Sequence, residues 1–150
     1  RPGSSAKGQA AAKVVLGDLG MNFNKLQLRN GSGLYHANKV TAAQVVKLLT
    51  GMFKLKGVGE AWRRTLAVAG VAGTLRGRLR GPATRRRIFA KTGTLDDVTA
   101  LAGYAFGDKK RYAFALFFNN VKAPARFYRR THDKFLQALL NPAGVASKEK

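Results

Sequence analysis

Apolar positions follow helical spacing in the first third of the chain and give way to long apolar runs in the last third. Residues 5–19 carry Ala12, Val15, Leu16 and Leu19 as a stripe, with Ser4 or Ser5 as cap and Gly20 just past the end. KLQLRN (25–30) alternates like a short strand and runs into the turn Asn30-Gly31-Ser32-Gly33. A second helix starts at Thr41, where Thr41 and Gln44 have capping-box spacing, and turns Val45, Leu48, Leu49 and Met52 to the core. Residues 59–69 predict another short helix around Trp62 and Leu66, and 70–82, rich in Gly and Arg, a loop with a helical turn. Two or three antiparallel strands follow, at 87–92, 98–106 and 112–120, the last two joined by a hairpin across 107–110. A final helix begins near Pro124 with Phe127, Thr131, Phe135 and Leu139 on one face, and the tail from Asn141 is expected to fray. Helices, then an antiparallel sheet, then a closing helix make an α+β domain.

The chain's 150 residues suffice for one domain with a real core. Hydrophobic residues make up 45%, a globular profile, so the charge excess does not imply disorder. That excess is large: 28 Lys and Arg against 7 Asp and Glu give a formal net charge of +21. Such a surface attracts anions, whether nucleic acid, acidic lipid or anionic cell-wall polymer. With no cysteine there is no disulfide framework or thiolate metal site, and His36 and His132 lie far apart without neighbouring ligands, so no metal is expected. LAVAGVAG (66–73) is too short and glycine-rich to span a bilayer. A first residue of Arg suggests a chain that begins inside a longer precursor.

Candidate chemistry concentrates at Lys91-Thr92-Gly93-Thr94 on the edge of the predicted sheet. The ammonium supplies a point charge, the hydroxyls directional hydrogen bonds, and Gly93 a close approach to backbone, which together suit an anion or carboxylate. Alone, Lys91 would read as a solvated strand-edge lysine; its flanking sequence favours a functional role. For Asn30–Leu34 a tight turn shaping a wall is favoured, and for His36, with no carboxylate close in sequence, a surface role. The window 61–91 holds nine Lys or Arg and no acid, with Arg76, Arg78, Arg80, Arg85, Arg86 and Arg87 crowded into its second half. Arginine's planar fork suits phosphate, but no aromatics interleave, so base stacking is not indicated.

LRNGSGLYHANKVTAAQVVKLL (28–49), LAVAGVAGTLRGRLRG (66–81), IFAKTGTLDDVTALAGYAF (88–106) and YAFALFFNN (112–120) together resemble the penicillin-binding protein 4 type of D-alanyl-D-alanine carboxypeptidase, the S13 peptidase family. The resemblance implies a serine beta-lactamase/transpeptidase-like fold: helices against a five-stranded antiparallel sheet, with Lys-Thr-Gly on the strand lining the cleft. It also implies serine acyl transfer on peptidoglycan stem peptides in the periplasm or cell envelope, without a cofactor. Lys91 would support the proton network of a Ser-x-x-Lys and a Ser-x-Asn motif, while Thr92, Gly93 and Thr94 hold the substrate's terminal carboxylate.

Those two partner motifs are missing. Ser4–Lys7 and Ser147–Lys150 have Ser-x-x-Lys spacing in polar, terminal contexts that make them chance matches, and Ser-x-Asn does not occur. The chain therefore reads as one partial domain, 1–150, the carboxy-terminal part of such an enzyme and inactive alone, needing a protein partner or its amino-terminal portion. Asn30 stands where the family commonly has Asp, and Tyr35 where it has Ser. The rival reading is a non-catalytic basic lobe that binds nucleic acid or an anionic envelope polymer through the six arginines.

Overall fold

A computed structural model describes residues 3–141. Its elements in chain order are α1 (Ser5–Asp18), α2 (Ala42–Lys54), α3 (Gly59–Arg64), β1 (Ala67–Val68), a 3-10 turn (Gly73–Leu75), β2 (Ile88–Thr94), β3 (Val98–Phe106), β4 (Arg111–Asn119) and α4 (Ala125–Leu140). The strands form one antiparallel sheet in the order β1-β2-β3-β4. The fold is α+β, as the sequence pattern predicts, with four strands among the described residues where the resemblance implies five.

Alternation along β2 sorts its side chains onto two faces. Ile88 and Ala90 point to a core shared with Leu101 and Ala105 of β3, Phe114 of β4, Leu136 of α4, and Ala69, Leu75 and Leu79 from the segment leading into β2. Phe89 points the other way. There Phe106 meets it edge-on at 5.6 Å, the Arg63 guanidinium lies 4.6 Å over its ring, and Phe53 of α2 sits 5.4 Å from Tyr104. Tyr104 ties this face together: its hydroxyl donates to the Leu49 carbonyl at 2.7 Å and accepts from Trp62 Nε1 at 3.1 Å. Burial pushes the Tyr104 phenol up from its ordinary value, with the Trp62 hydrogen bond opposing.

Local signals explain several boundaries. Thr41 and Gln44 form both halves of the capping box at the start of α2, and the Gln44 amide also donates to the carbonyls of Asn22 and Asn24. Ser4 caps α1, its hydroxyl accepting from the Lys7 N–H at 3.2 Å. The hairpin closes with Gly107 N–H donating to the Lys110 carbonyl.

Three predicted features differ. Residues 25–30 form no strand but one bridge, Gln27 to Lys39, because no neighbouring strand lies alongside. The helix expected over 59–69 stops at Arg64; Thr65 Oγ1 donates to the Trp62 carbonyl, and Ala67 and Val68 instead pair with Ala90 and Phe89 at the free edge of β2. The buried face of α4 is rotated from the one expected. His132 and Leu136 are buried, with Tyr128, Leu139 and Leu140 half-buried beside them, while Phe127, Thr131 and Phe135 are exposed. Of the predicted face only Leu139 packs on the core. The expectations for the tail from residue 142 and for Ser147 lie outside the described residues.

Candidate active site

Lys91, Thr92, Gly93 and Thr94 close β2, opposite Ala102, Leu101, Ala100 and Thr99 of β3. Lys91 is exposed, shares its strand face with Phe89, and donates from Nζ to the Thr92 carbonyl at 2.5 Å. Thr92 and Thr94 take the opposite face by alternation. The Thr92 hydroxyl donates to Thr74 Oγ1 at 3.0 Å, in the 3-10 turn. The Thr94 hydroxyl accepts from Arg129 Nη2 at 3.1 Å, on α4. Gly93 sits close to β3: a Cβ there would stand 3.3 Å from the Ala100 Cβ, near enough that this neighbour would have to give by a few tenths of an ångström. Thr99, across from Thr94, is buried, and its hydroxyl has no partner among the described residues.

One flank of the tetrad is built by a distant loop. Asn38 Oδ1 accepts from the N–H groups of Arg29 and Asn30 at 2.7 and 3.2 Å, and its Nδ2 donates to the Asn30 carbonyl. Asn30 Oδ1 in turn accepts from Gly33 N–H at 2.8 Å, and Gly33 has φ +67°, so this segment is a side-chain-stabilised turn. His36, which follows it, is not without a carboxylate: its Nε2 lies 3.0 Å from Asp97 Oδ1, on the turn directly after the tetrad. Sequence distance hid that contact.

The arginine window is also less uncompensated than its sequence suggests. Arg78 grips Asp133 of α4 with two bonds, 2.7 Å from Nη2 and 3.2 Å from Nε, and Arg87 pairs with Asp108 at 2.6 Å. Glu60 takes Arg63 and Arg64, whose hydrogen bonds hold its carboxyl below the ordinary value. Arg76, Arg80, Arg85 and Arg86 are exposed and meet no carboxylate among the described residues. His132 lies beneath the sheet, stacked on Phe118 with centroids 5.1 Å apart. Burial and then the Arg78 charge lower it to about 4, with Asp133 opposing, so it is a neutral core residue.

Together the tetrad region presents an ammonium on one strand face, and on the other three threonine hydroxyls and a guanidinium. Such a set has the chemistry to suit a carboxylate but contains no activated nucleophile of its own. Thr74 and Arg129 come from segments remote in sequence, and no local pattern marks them. Among the described residues no three His, Cys, Asp or Glu side chains converge as a metal site would require, and no helix is long and apolar enough to cross a membrane.

Comparison with known proteins gives the family of the chain. The chain is 39% identical over 123 residues to the D-alanyl-D-alanine carboxypeptidase of an Actinomadura species, and 34% identical over 122 residues to the D-alanyl-D-alanine carboxypeptidase DacB of Haemophilus influenzae. Each alignment covers 79% of this chain but only 23% and 25% of the relative. The crystal structure of Haemophilus influenzae penicillin binding protein 4 in complex with a beta-lactam superposes with a TM-score of 0.79 at 30% identity, over 95% of this chain and 34% of that one. A predatory endopeptidase from Bdellovibrio bacteriovorus shares the fold, with a TM-score of 0.75 at 22% identity over 93% of this chain and 37% of its own. The D-Ala-D-Ala carboxypeptidase 3 (S13) family model matches residues 1–139, and the chain belongs to that family.

Proposed function

We propose that this chain forms the Lys-Thr-Gly wall of a serine D,D-carboxypeptidase or endopeptidase that acts on peptidoglycan stem peptides in the periplasm or cell envelope. The reaction is acyl transfer from the penultimate D-alanine to a serine, then to water, and needs no metal. The serine and its lysine come from a Ser-x-x-Lys region outside this sequence, so the 150 residues are inactive by themselves. Lys91 polarises the serine's proton network, while Thr92, Gly93 and Thr94 receive the terminal carboxylate. The observation that carries this reading is the tetrad itself: an exposed ammonium and two hydroxyls, bonded to Thr74 and Arg129, on a strand end anchored to β3, in a chain of this family.

Adduct formation with a beta-lactam tests it. The full-length protein should form a covalent adduct, and Lys91→Ala should slow acylation by about 10²–10⁴-fold. The thermal midpoint should stay within a few degrees, since Lys91 is exposed and outside the core. Unchanged acylation, or a loss of stability as large as the loss of rate, makes Lys91 structural.

A second reading rests on the four arginines without carboxylates. They stand on a tightly tied segment, where Arg86 N–H donates to the Ala69 carbonyl and Gly70 N–H is shared between Leu75 and Arg78. Such a surface suits an anionic envelope polymer or nucleic acid; Arg78 and Arg87, already paired, do not contribute to it. A titration with single-stranded DNA at low salt that shows no association removes the nucleic-acid version.

A further inference from the structure

We propose that Arg129 selects the substrate's free carboxylate, so that the two cations of the site divide the work: Lys91 serves the serine and Arg129 the peptide terminus. This rests on the carboxypeptidase reading and adds to it a residue that chooses between a free acid and a chain that continues beyond the scissile bond. Arg129 stands on the second turn of α4 and reaches Thr94 Oγ1 with one of its five N–H donors, at 3.1 Å. Because Thr94 accepts this bond, its own O–H remains free to donate to a ligand on the same face.

The helix would ordinarily occupy that guanidinium. Asp133 lies four residues further on, where an acid pairs with an arginine along a helix. Here Asp133 is taken instead by Arg78 from the loop before β2, and Arg78 Nη2 also donates to the Arg129 carbonyl at 3.2 Å. The displaced partner leaves Arg129 exposed, with no carboxylate on it among the described residues, while its backbone is held against the site. A planar fork that lacks an acid and touches a hydroxyl of the tetrad is matched to a bidentate carboxylate. Lys91 cannot take this role on the Thr92 and Thr94 face, because strand alternation puts it on the other.

The dipeptide D-Ala-D-Ala and its carboxamide are titrated onto the full-length protein and onto Arg129→Gln and Arg129→Lys, following the Thr94 amide by NMR, with thermal midpoints recorded in parallel. Wild type should bind the acid in preference to the amide. Arg129→Gln should lose about ten- to a hundredfold of that preference, the range for a hydrogen bond to a charged group, with Arg129→Lys between. A preference that survives in Arg129→Gln, or a wild type that does not distinguish acid from amide, overturns the assignment. Beta-lactam adduct formation by the wild type is measured separately: no adduct with the acid preference intact sinks the enzyme reading and upholds the carboxylate site.

Discussion

Residues 3–40 and 67–141 both contain abundant apolar side chains, yet they use them in opposite ways. In the first segment α1 buries no residue, Met21 is its one core residue, and Val14, Val15 and Leu34 stand 65%, 55% and 76% exposed. In the second, Ile88, Ala90, Leu101, Ala105 and Leu136 are sealed from solvent. The sheet with α4 therefore holds itself together by close packing. The first segment is held mainly by directional contacts: the Ser4 cap, the Asn30–Asn38 bonds, and Gln44 on the Asn22 and Asn24 carbonyls, with Leu19 packed against Gly51 beside them. Packing resists perturbation as a unit, whereas hydrogen-bonded turns open one at a time.

Gly103→Ala should break the sheet side most severely. A Cβ at Gly103 would run into the Phe89 carbonyl oxygen and lie 2.6 Å from the Ala90 Cα, backbone atoms that cannot move aside. Unfolding in urea should show a loss of about 3 kcal/mol or more, at the top of the range for overpacking. A loss below about 1 kcal/mol would mean that the sheet yields as readily as the turns.

A second test uses acid. His132 is neutral in the folded protein down to about 4, whereas an unfolded histidine takes its proton near 6.5. The unfolded state therefore binds more protons between those values, and stability is full above about 6.5 and lost as pH falls towards 4, by up to about 3 kcal/mol. Thermal midpoints from pH 7 to 4 should fall, and His132→Phe, which keeps a ring against Phe118, should flatten the curve. Identical curves for the two proteins would place the acid sensitivity elsewhere.

The smallest effect should come from the same kind of change in the other segment. Gly8 lies inside α1, and a Cβ there meets nothing within 4 Å. Gly8→Ala should stabilise the helix by about 0.5–1 kcal/mol. Hydrogen exchange should slow in α1 and not in β2 or β3; slowing throughout would show that the two segments unfold together.

What the sequence disclosed follows the same division between local and distant causes. The Thr41–Gln44 box, the Ser4 cap and the turn at 107–110 are written within a few residues, and each formed. Hairpin partners β3 and β4 were legible for the same reason. β1 was not, because two residues become a strand only when Phe89 and Ala90 offer their edge. The face of α4 was misread because the large letters, Phe127 and Phe135, drew the stripe, while a histidine occupies the core. At the site the contiguous tetrad could be seen, but Thr74 and Arg129, and His36 on Asp97, reach it only through the folded sheet and its connections.

The bond from Trp62 to Tyr104 has an optical consequence. The chain contains one tryptophan, and its indole N–H is tied to a tyrosine hydroxyl that also holds α2 by the Leu49 carbonyl. Its tryptophan fluorescence therefore comes from a single, known place, the joint between the helices and the strand face that carries Lys91. When that joint loosens, the indole gains water and its emission shifts to the red, while α4 on the far side of the sheet has no indole to add to that emission. The protein thus carries an intrinsic gauge of whether the strand face that carries Lys91 is assembled, readable without a label.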